Sequence, residues 1–260
     1  MSSTAAVAAQ YDAFAEVYAR FFSDKLTDLL NVDSSLPTQL KDALERTGPS
    51  ATVLDCACGP GRLVLGLEKR GYRVWGTDIS QGMIRIARRR ARTLGLKPSF
   101  AIAEYAELPG KLHQRFEVVV CVGNAIGHCR GERGMLAALR GMHAVLKPGG
   151  TLLLDTRCWE TYRRQRTRFD AFAPKTVEGE RLVWLNVRHY ARRFADPHLI
   201  EVVIITEREG LASVCSFPIT YYPFRVVDLK RRLRAVGFED ILTTYQEDSD
   251  WYQVTARRKT

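Results

Sequence analysis

The chain has 260 residues, of which 46% are hydrophobic and 10% aromatic; this composition is that of a globular protein and excludes a disordered or collagen-like chain. No apolar run approaches the about 20 residues of a membrane span, and no secretory signal opens the sequence, so we expect a cytoplasmic protein without a membrane partner. The formal net charge of +10 allows an acidic substrate, a nucleic acid or another anionic surface as partner. The cysteines lack zinc-ligand spacing, which predicts reduced thiols and no metal site.

The start of the chain, residues 1–45, predicts an N-terminal helical cap of one or two helices. A stripe of aromatic residues recurs along its first part at helical spacing: Tyr11, Phe14, Tyr18, Phe21 and Phe22. Aromatic residues in this pattern pack against a core more often than they contact a ligand, so we predict packing.

The next segment, residues 46–156, alternates short apolar runs with helical patterns. We predict strands over 51–55, 73–78, 100–103, 116–121 and 151–155. This rhythm is typical of an α/β fold with a Rossmann-like, doubly wound and mostly parallel sheet. In such sheets the ligand binds beyond the carboxyl ends of the strands.

The alternation of strands and helices ends after the fifth strand. Residues 157–222 predict an antiparallel β lid inserted over the substrate, because their apolar and polar residues form extended β-rich segments. Residues 223–260 predict a helix and a β-hairpin that complete the core sheet with an antiparallel final strand.

The strongest local signal is a glycine turn between the first strand and its helix. Gly59 and Gly61 let a ligand approach the backbone, but Val64 stands where a dinucleotide-binding motif has its third glycine. Asp55, at the start of the turn, would repel a pyrophosphate and suits a cationic or amino-bearing ligand. Asp78, at the end of the second strand, can accept both hydroxyls of a ribose. A cationic nucleoside without phosphates satisfies all of these features.

The turn VLDCACGPGR (53–62) resembles motif I of the class I S-adenosylmethionine-dependent methyltransferases. TDIS (77–80) resembles their ribose-binding acid, AEYAELP (103–109) their adenine-contacting motif, and LKPGG (146–150) the turn before their fifth strand. Ala57 departs from the pattern, since the family usually has its first glycine there.

The resemblance implies S-adenosylmethionine as cofactor and S-adenosylhomocysteine as product. Glu104 takes the adenine-contacting place where the family usually has Asp. The cofactor site implied in this way consists of Asp55, Cys58, Gly59, Gly61, Asp78, Ile79, Met83, Glu104, Tyr105 and Cys121.

Two later segments, VVVCVGNAIGHC (118–129) and LLLDTRCWE (152–160), are similar to glycine and glycine/sarcosine N-methyltransferases. The similarity implies that Asn124 and Arg157 hold an amino acid, with Arg157 on its carboxylate. A guanidinium at the ligand edge can clamp a carboxylate. The alternative is a surface arginine or a salt bridge to Asp155 or Glu160.

TYYPF (220–224) is also similar to these enzymes and implies that Tyr221 lies near the substrate. Thr156, Cys158 and Trp159 depart from the family's D-H-R-N-Y stretch. A larger amino acid or another carboxylate-bearing amine is therefore expected at least as much as glycine.

We expect direct in-line displacement, in which a neutral amine attacks the sulfonium methyl group and little covalent chemistry is required of the protein. Asn124 and His128 are the candidate catalytic residues. His128 is a candidate base because imidazole titrates near neutrality. The alternative for His128 is a structural hydrogen bond at a helix start.

Two other functions stay open at this point. One is an RNA or other polyanion methyltransferase, because arginines crowd residues 85–92 and 163–168. No aromatic stacking platform accompanies these charges, so they do not favour a nucleic acid, although they do not exclude one. The other is a regulatory subunit that binds S-adenosylmethionine without turnover. The sequence also leaves a homo-oligomer open.

Overall fold

The computed structural model describes residues 3–22 and 38–260. The described helices are α1 (Ser3–Phe22), α2 (Thr38–Thr47), α3 (Arg62–Lys69), α4 (Gln81–Thr93), α5 (Leu108–Lys111), α6 (Gly131–Val145), α7 (Trp159–Gln165) and α8 (Val226–Val236). Short 3-10 helices cover Tyr105–Glu107 and Ala125–His128. The strands are β1 (Thr52–Asp55), β2 (Arg73–Asp78), β3 (Ser99–Ile102), β4 (Phe116–Cys121), β5 (Leu146–Arg157), β6 (Phe169–Ala171), β7 (Lys175–Val177), β8 (Glu180–His189), β9 (His198–Arg208), β10 (Leu211–Tyr221), β11 (Phe238–Thr243) and β12 (Trp251–Arg258).

A seven-stranded sheet in the order β11-β12-β5-β4-β1-β2-β3 forms the centre of the fold. Strands β1 to β5 pair in parallel, whereas β12 pairs antiparallel with both β5 and β11. Val118, Val119 and Val120 are fully buried, as expected for a strand covered on both faces. The predicted fold class is confirmed.

The fifth strand is longer than predicted. It begins at Leu146 rather than at residue 151, because the LKPGG turn already belongs to the strand and Phe116 pairs with Leu146 across a register shift. The turn is tight there, since a Cβ on Gly150 would lie 2.9 Å from the Lys147 carbonyl oxygen.

A second, antiparallel sheet in the order β10-β9-β8-β6 follows the central one along the chain, and β7 pairs with β8 at its edge. The alternating burial of β8 and β9 shows that one face of this sheet is covered. The aromatic residues of α1 provide part of the cover, because Phe14, Tyr18, Phe21 and Phe22 all surround Trp184 at centroid distances of 4.9 to 6.1 Å.

Helix α1 is also fixed to the central domain by a carboxylate. Asp12 accepts hydrogen bonds from the Ser80 hydroxyl (2.6 Å) and from the Gly82 N–H (2.7 Å), at the start of α4. The helix therefore bridges the edge of the central sheet and the second sheet. The remainder of the predicted cap includes residues 23–37, which lie outside the described residues.

None of the described helices is both long enough and apolar enough to cross a membrane. Within the same part of the chain, no three His, Cys, Asp or Glu side chains are grouped so as to hold a metal ion. The six cysteines carry free thiols, and only Cys215 is exposed.

Candidate active site

A cavity of about 440 Å³ opens at the carboxyl ends of the parallel strands. Its floor follows β1, β2, β3 and β4, its roof is α1, and its outer wall is the start of α6. It is lined by Val7, Tyr11, Tyr18, Cys56, Ala57, Gly59, Asp78, Ile79, Met83, Ala103, Glu104, Tyr105, Ala106, Val122, Gly123, Ala125, His128, Cys129, Arg130, Arg133, Gly134, Ala137 and Ala138. Six of the ten predicted cofactor residues are in this wall: Gly59, Asp78, Ile79, Met83, Glu104 and Tyr105.

The glycine turn adopts a left-handed backbone that glycine alone adopts without strain. Gly59 has φ +51° and Gly61 has φ +86°. Gly61 does not line the cavity. It is the residue before α3, and a Cβ there would lie 3.0 Å from the Ala87 side chain, so this glycine lets α3 and α4 approach each other.

Asp78 is the carboxylate that faces the cavity. One of its oxygens accepts the Gly59 N–H (2.8 Å) and the other accepts the Ser80 N–H (2.9 Å). Burial nevertheless raises its pKa, against the lowering effect of these two hydrogen bonds. The side chain is held rigidly, and its remaining lone pairs are available to hydroxyl donors.

Asp55 lies beneath the turn rather than in the cavity wall. Its side chain accepts the Ala57 N–H (3.2 Å) and is buried. Burial raises its pKa to about 7, and the negative charges of Asp78 and Asp155 add to this effect. The three carboxylates therefore make this edge of the sheet favourable to a cation and unfavourable to a phosphate.

Cys58 and Cys121 were predicted in the cofactor site, and the structure places both thiols in the core instead. The Cys58 sulfur packs against Gly76, where an added Cβ would lie 2.9 Å from it. Cys121 is fully buried and its sulfur lies 3.6 Å from the Tyr105 hydroxyl.

The loop that carries Glu104 and Tyr105 closes one side of the cavity. Glu104 begins the 3-10 helix, and its side chain and that of Glu107 exchange hydrogen bonds with the backbone. Helix α6 approaches this loop so closely that a Cβ on Gly141 would lie 1.8 Å from the Tyr105 carbonyl oxygen. The position of the loop therefore depends on a glycine in a helix that is distant in the sequence but packs against the loop.

The opposite side of the cavity is formed by His128 and aromatic rings. The His128 Nδ1 lies 2.9 Å from the Thr220 carbonyl oxygen, which only accepts, so Nδ1 carries the proton. Nε2 is then the acceptor of the Tyr11 hydroxyl at 2.9 Å. Burial lowers the pKa of His128 to about 4, so the ring is neutral at pH 7. Both ring nitrogens have partners, which favours the hydrogen-bonding role over the base role.

Tyr221 does not line the cavity but supports its wall. Its ring stacks on His128 at 4.4 Å between centroids and contacts Trp159 at 5.5 Å. The end of the second sheet is fixed here by the backbone, since the Tyr222 N–H donates to the Gly127 carbonyl (2.7 Å).

Asn124 is buried behind this wall rather than in the cavity. It has φ +61°, and its side-chain oxygen accepts the Thr156 hydroxyl (2.8 Å) and the Arg157 N–H (3.1 Å). Its own N–H donates to Asp155 (3.1 Å). Asn124 therefore joins the ends of β4 and β5 and positions Arg157.

Arg157 also lies outside the cavity. Its guanidinium stands 5.2 Å from the Tyr162 ring centroid and 4.9 Å from that of Trp251. It forms no salt bridge with any carboxylate of the described chain, so the predicted alternative of a pair with Asp155 is not observed. His128, Tyr221 and Trp159 lie between the cavity and the Arg157 guanidinium.

Sequence reasoning missed several cavity residues. Tyr11 and Tyr18 were assigned to packing, and Arg130 and Arg133 were not considered. The aromatic stripe contained the signal for the tyrosines, because their hydroxyls distinguish them from the phenylalanines beside them. Burial raises the pKa of both tyrosines, so they are neutral hydrogen-bonding groups at pH 7.

Comparison with known proteins agrees with this geometry. Residues 53–150 match the family described as "Methyltransferase domain". The glycine/sarcosine N-methyltransferase of Parasynechococcus marenigrum (strain WH8102) is 24% identical over 260 residues, which cover 95% of this chain and 86% of that relative. The enzyme of the same name from Aphanothece halophytica is 24% identical over 259 residues, 95% of this chain and 92% of that relative.

Residues 53–150 form a methyltransferase domain, and the relatives of the chain are S-adenosylmethionine-dependent methyltransferases of class I.

Solved structures share the fold of this methyltransferase. DesVI of Streptomyces venezuelae superimposes with a TM-score of 0.75 at 18% identity, covering 95% of this chain and 98% of that chain. The S-adenosylmethionine-bound amino pentose methyltransferase of Micromonospora echinaspora superimposes with a TM-score of 0.71 at 18% identity, covering 95% and 97%.

The cofactor of this methyltransferase is S-adenosylmethionine, and the residues of the cavity fit it. Asp78 offers carboxylate lone pairs where ribose hydroxyls need an acceptor. Ile79, Met83 and Ala103 give the cavity an apolar lining for a base. The Asp78 carboxylate in the cavity wall suits a cationic nucleoside better than a phosphorylated one.

Proposed function

We propose that the chain is an N-methyltransferase that acts on the amine of a small carboxylate-bearing substrate, either glycine- or sarcosine-like or a larger amino acid. Both relatives described above are named for glycine and sarcosine, and their similarity extends over about the whole chain. It therefore includes α1 and the second sheet, which lie beyond the matched methyltransferase domain.

The observation that carries the proposal is a group of buried donors beside Arg157. Asn124 Nδ2, Trp159 Nε1 and the Tyr162 hydroxyl have no hydrogen-bond partner within the part of the chain that the structure describes. Their side chains adjoin, since Cβ on Gly127 would lie 3.2 Å from both Asn124 Nδ2 and the Trp159 ring. Buried donors without an acceptor are costly, and an anionic carboxylate would satisfy several of them at once.

In this arrangement the acceptor carboxylate would lie towards Arg157 and its amine towards the cavity. Tyr221 stands between these two places and would have to turn for the acceptor to bind. The Tyr11 hydroxyl would orient the amine nitrogen, because it lines the cavity and its oxygen can accept an N–H of the amine while its proton is donated to His128.

The bound cofactor supplies a methyl group activated by a neighbouring sulfonium. The chain's own contribution is to position: Asp78 and the glycine turn fix the nucleoside, and α1 covers the cavity and excludes water. Both ring nitrogens of His128 already have partners, so we propose that the acceptor binds as the neutral amine and loses its proton to solvent.

The test is an acceptor screen followed by one variant. S-adenosylhomocysteine release is measured with glycine, sarcosine and larger amino acids. The variant Arg157→Ala should raise the KM for the acceptor about 10- to 100-fold, because it removes a hydrogen bond to a charged group. The KM for S-adenosylmethionine should change less than about 2-fold.

The matched control is Arg140→Ala, an exposed arginine outside both places. It should leave both constants unchanged. Equal increases of the two KM values in Arg157→Ala, or turnover of amines without a carboxylate as well as of amino acids, would exclude a carboxylate clamp.

A further inference from the structure

A second cavity, of about 400 Å³, lies between the end of α7 and the end of β8. We name it the arginine pocket. It is lined by Arg163, Arg166, Arg168, His189, Tyr190, Ala191 and Arg192. Four of the seven lining residues are arginines and none is acidic, so the wall concentrates positive charge.

The pocket's arginines are not neutralised by neighbouring acids. Arg166, Arg168 and Arg192 form no salt bridge within residues 3–22 and 38–260, and all three are exposed. Arg163 donates to the backbone carbonyls of Ala191 and Arg192, which fixes one wall but compensates no charge.

Two carboxylates beside the pocket are already engaged. Glu201 pairs with His189 at 2.9 Å, and Asp170 pairs with Arg188 at 2.7 Å. Like charges that line one cavity repel each other, and the protein gains nothing from this arrangement unless an anion neutralises it.

We propose that the arginine pocket binds the phosphate groups of a small molecule, as a second ligand site separate from the methyl-transfer cavity. A carboxylate offers two oxygens and is satisfied by a single guanidinium. A diphosphate offers more oxygens and a larger charge, which several forked guanidinium groups match. The volume of the pocket is also within the range of small-molecule sites.

The pocket adjoins the acceptor side of the protein. The Tyr190 ring forms part of its wall. The centroid of this ring lies 6.0 Å from that of Tyr162 and 5.6 Å from that of His198. Tyr162 in turn packs under the guanidinium of Arg157. Two aromatic rings, those of Tyr190 and Tyr162, would therefore lie between an anion in the pocket and the guanidinium that we assign to the acceptor.

The test is calorimetric titration of the full chain with inorganic pyrophosphate at low ionic strength. We expect saturable binding at one site. The double variant Arg166→Ala, Arg168→Ala should weaken it at least about 10-fold, since it removes two groups that form charge-assisted hydrogen bonds. The control double variant Arg92→Ala, Arg140→Ala removes two exposed arginines outside the pocket and should leave the affinity unchanged.

Binding of S-adenosylmethionine to both double variants provides the folding control, and it should be unchanged. The absence of saturable pyrophosphate binding would overturn the proposal, as would equal affinity in the parent and the pocket variant. Salt-sensitive binding of single-stranded RNA that pyrophosphate does not compete with would also overturn it, because the charge would then serve a polymer. None of these results depends on methyl transfer, so the proposed function can fail or hold independently of this proposal.

Discussion

Replacing Gly141 with alanine would test how the cofactor cavity is held in shape. Gly141 lies in α6, and a Cβ there would stand 1.8 Å from the Tyr105 carbonyl oxygen and 2.7 Å from the Tyr105 carbonyl carbon. Both are backbone atoms, so no side chain can rotate away. The loop that carries Glu104 and Tyr105 would have to move by more than an ångström, and this loop lines the cavity.

The expected loss of folding stability in Gly141→Ala is the balance of two effects. Overpacking of a core costs about 1–3 kcal/mol, whereas alanine stabilises the interior of a helix by about 1 kcal/mol relative to glycine. Because the contact involves backbone, we expect the overpacking to dominate, with a net loss of about 1–2 kcal/mol. The displaced loop should weaken cofactor binding about 10- to 100-fold, which is the effect of a misplacement of this size.

Gly134 provides the matched control in the same helix. A Cβ there would meet no atom closer than 3.6 Å, which is an ordinary contact. Gly134→Ala should therefore stabilise the ligand-free protein by about 0.5–1 kcal/mol. Equilibrium urea denaturation measures the stability of both variants, and calorimetry measures the affinity of Gly141→Ala for S-adenosylmethionine. If Gly141→Ala proved as stable as Gly134→Ala and bound the cofactor normally, the argument from close approach would be wrong.

Four further predictions concern the polar groups of the site. Asp55, with its pKa raised to about 7, holds a proton in the folded protein that the unfolded chain has lost above its ordinary pKa. The free energy of unfolding should therefore fall between about pH 5 and pH 7 and level off above, and this component of the slope should vanish in Asp55→Asn, as measured by urea denaturation across that range. Asp78→Asn should weaken S-adenosylmethionine binding about 10-fold or more in calorimetry, because an amide cannot accept the Gly59 N–H and ribose hydroxyls as a carboxylate does; unchanged affinity would refute the assignment. In an NMR titration, His128 should protonate near pH 4, and a midpoint above pH 6 would restore the base role. Tyr11→Phe should destabilise the protein by about 1 kcal/mol through loss of the hydrogen bond to that ring.

The order of elements in the central sheet could be predicted because its signals are local. Apolar runs such as 116–121, a glycine turn and a carboxylate at the end of the first and the second strand are all visible within a few residues. Right-handed parallel connections then leave few topologies to choose from. The cofactor residues that follow directly from strand ends, such as Asp78 and Glu104, were predicted for the same reason, and both line the cavity.

Side-chain direction could not be predicted in this way. Cys58 and Cys121 share their segments with true cavity residues, yet their thiols point into the core. Tyr11 comes from a helix more than a hundred residues away from its partner His128, and no local pattern indicates that contact. The same holds for Gly141, whose importance depends on a loop that approaches it only in the folded chain.

Sequence alone determined the class of fold and the residue types at the cofactor edge, because strand periodicity, the glycine turn and the positions of Asp55 and Asp78 at strand ends are set within short segments of the chain. Tertiary structure decided which groups face the cavity and which protonation state they adopt. Packing of α1 and the second sheet around His128 buried its ring and lowered its pKa, and the same packing left Arg157 on the far side of an aromatic wall. Burial and orientation arise from contacts between distant segments, so they exist only once the chain has folded.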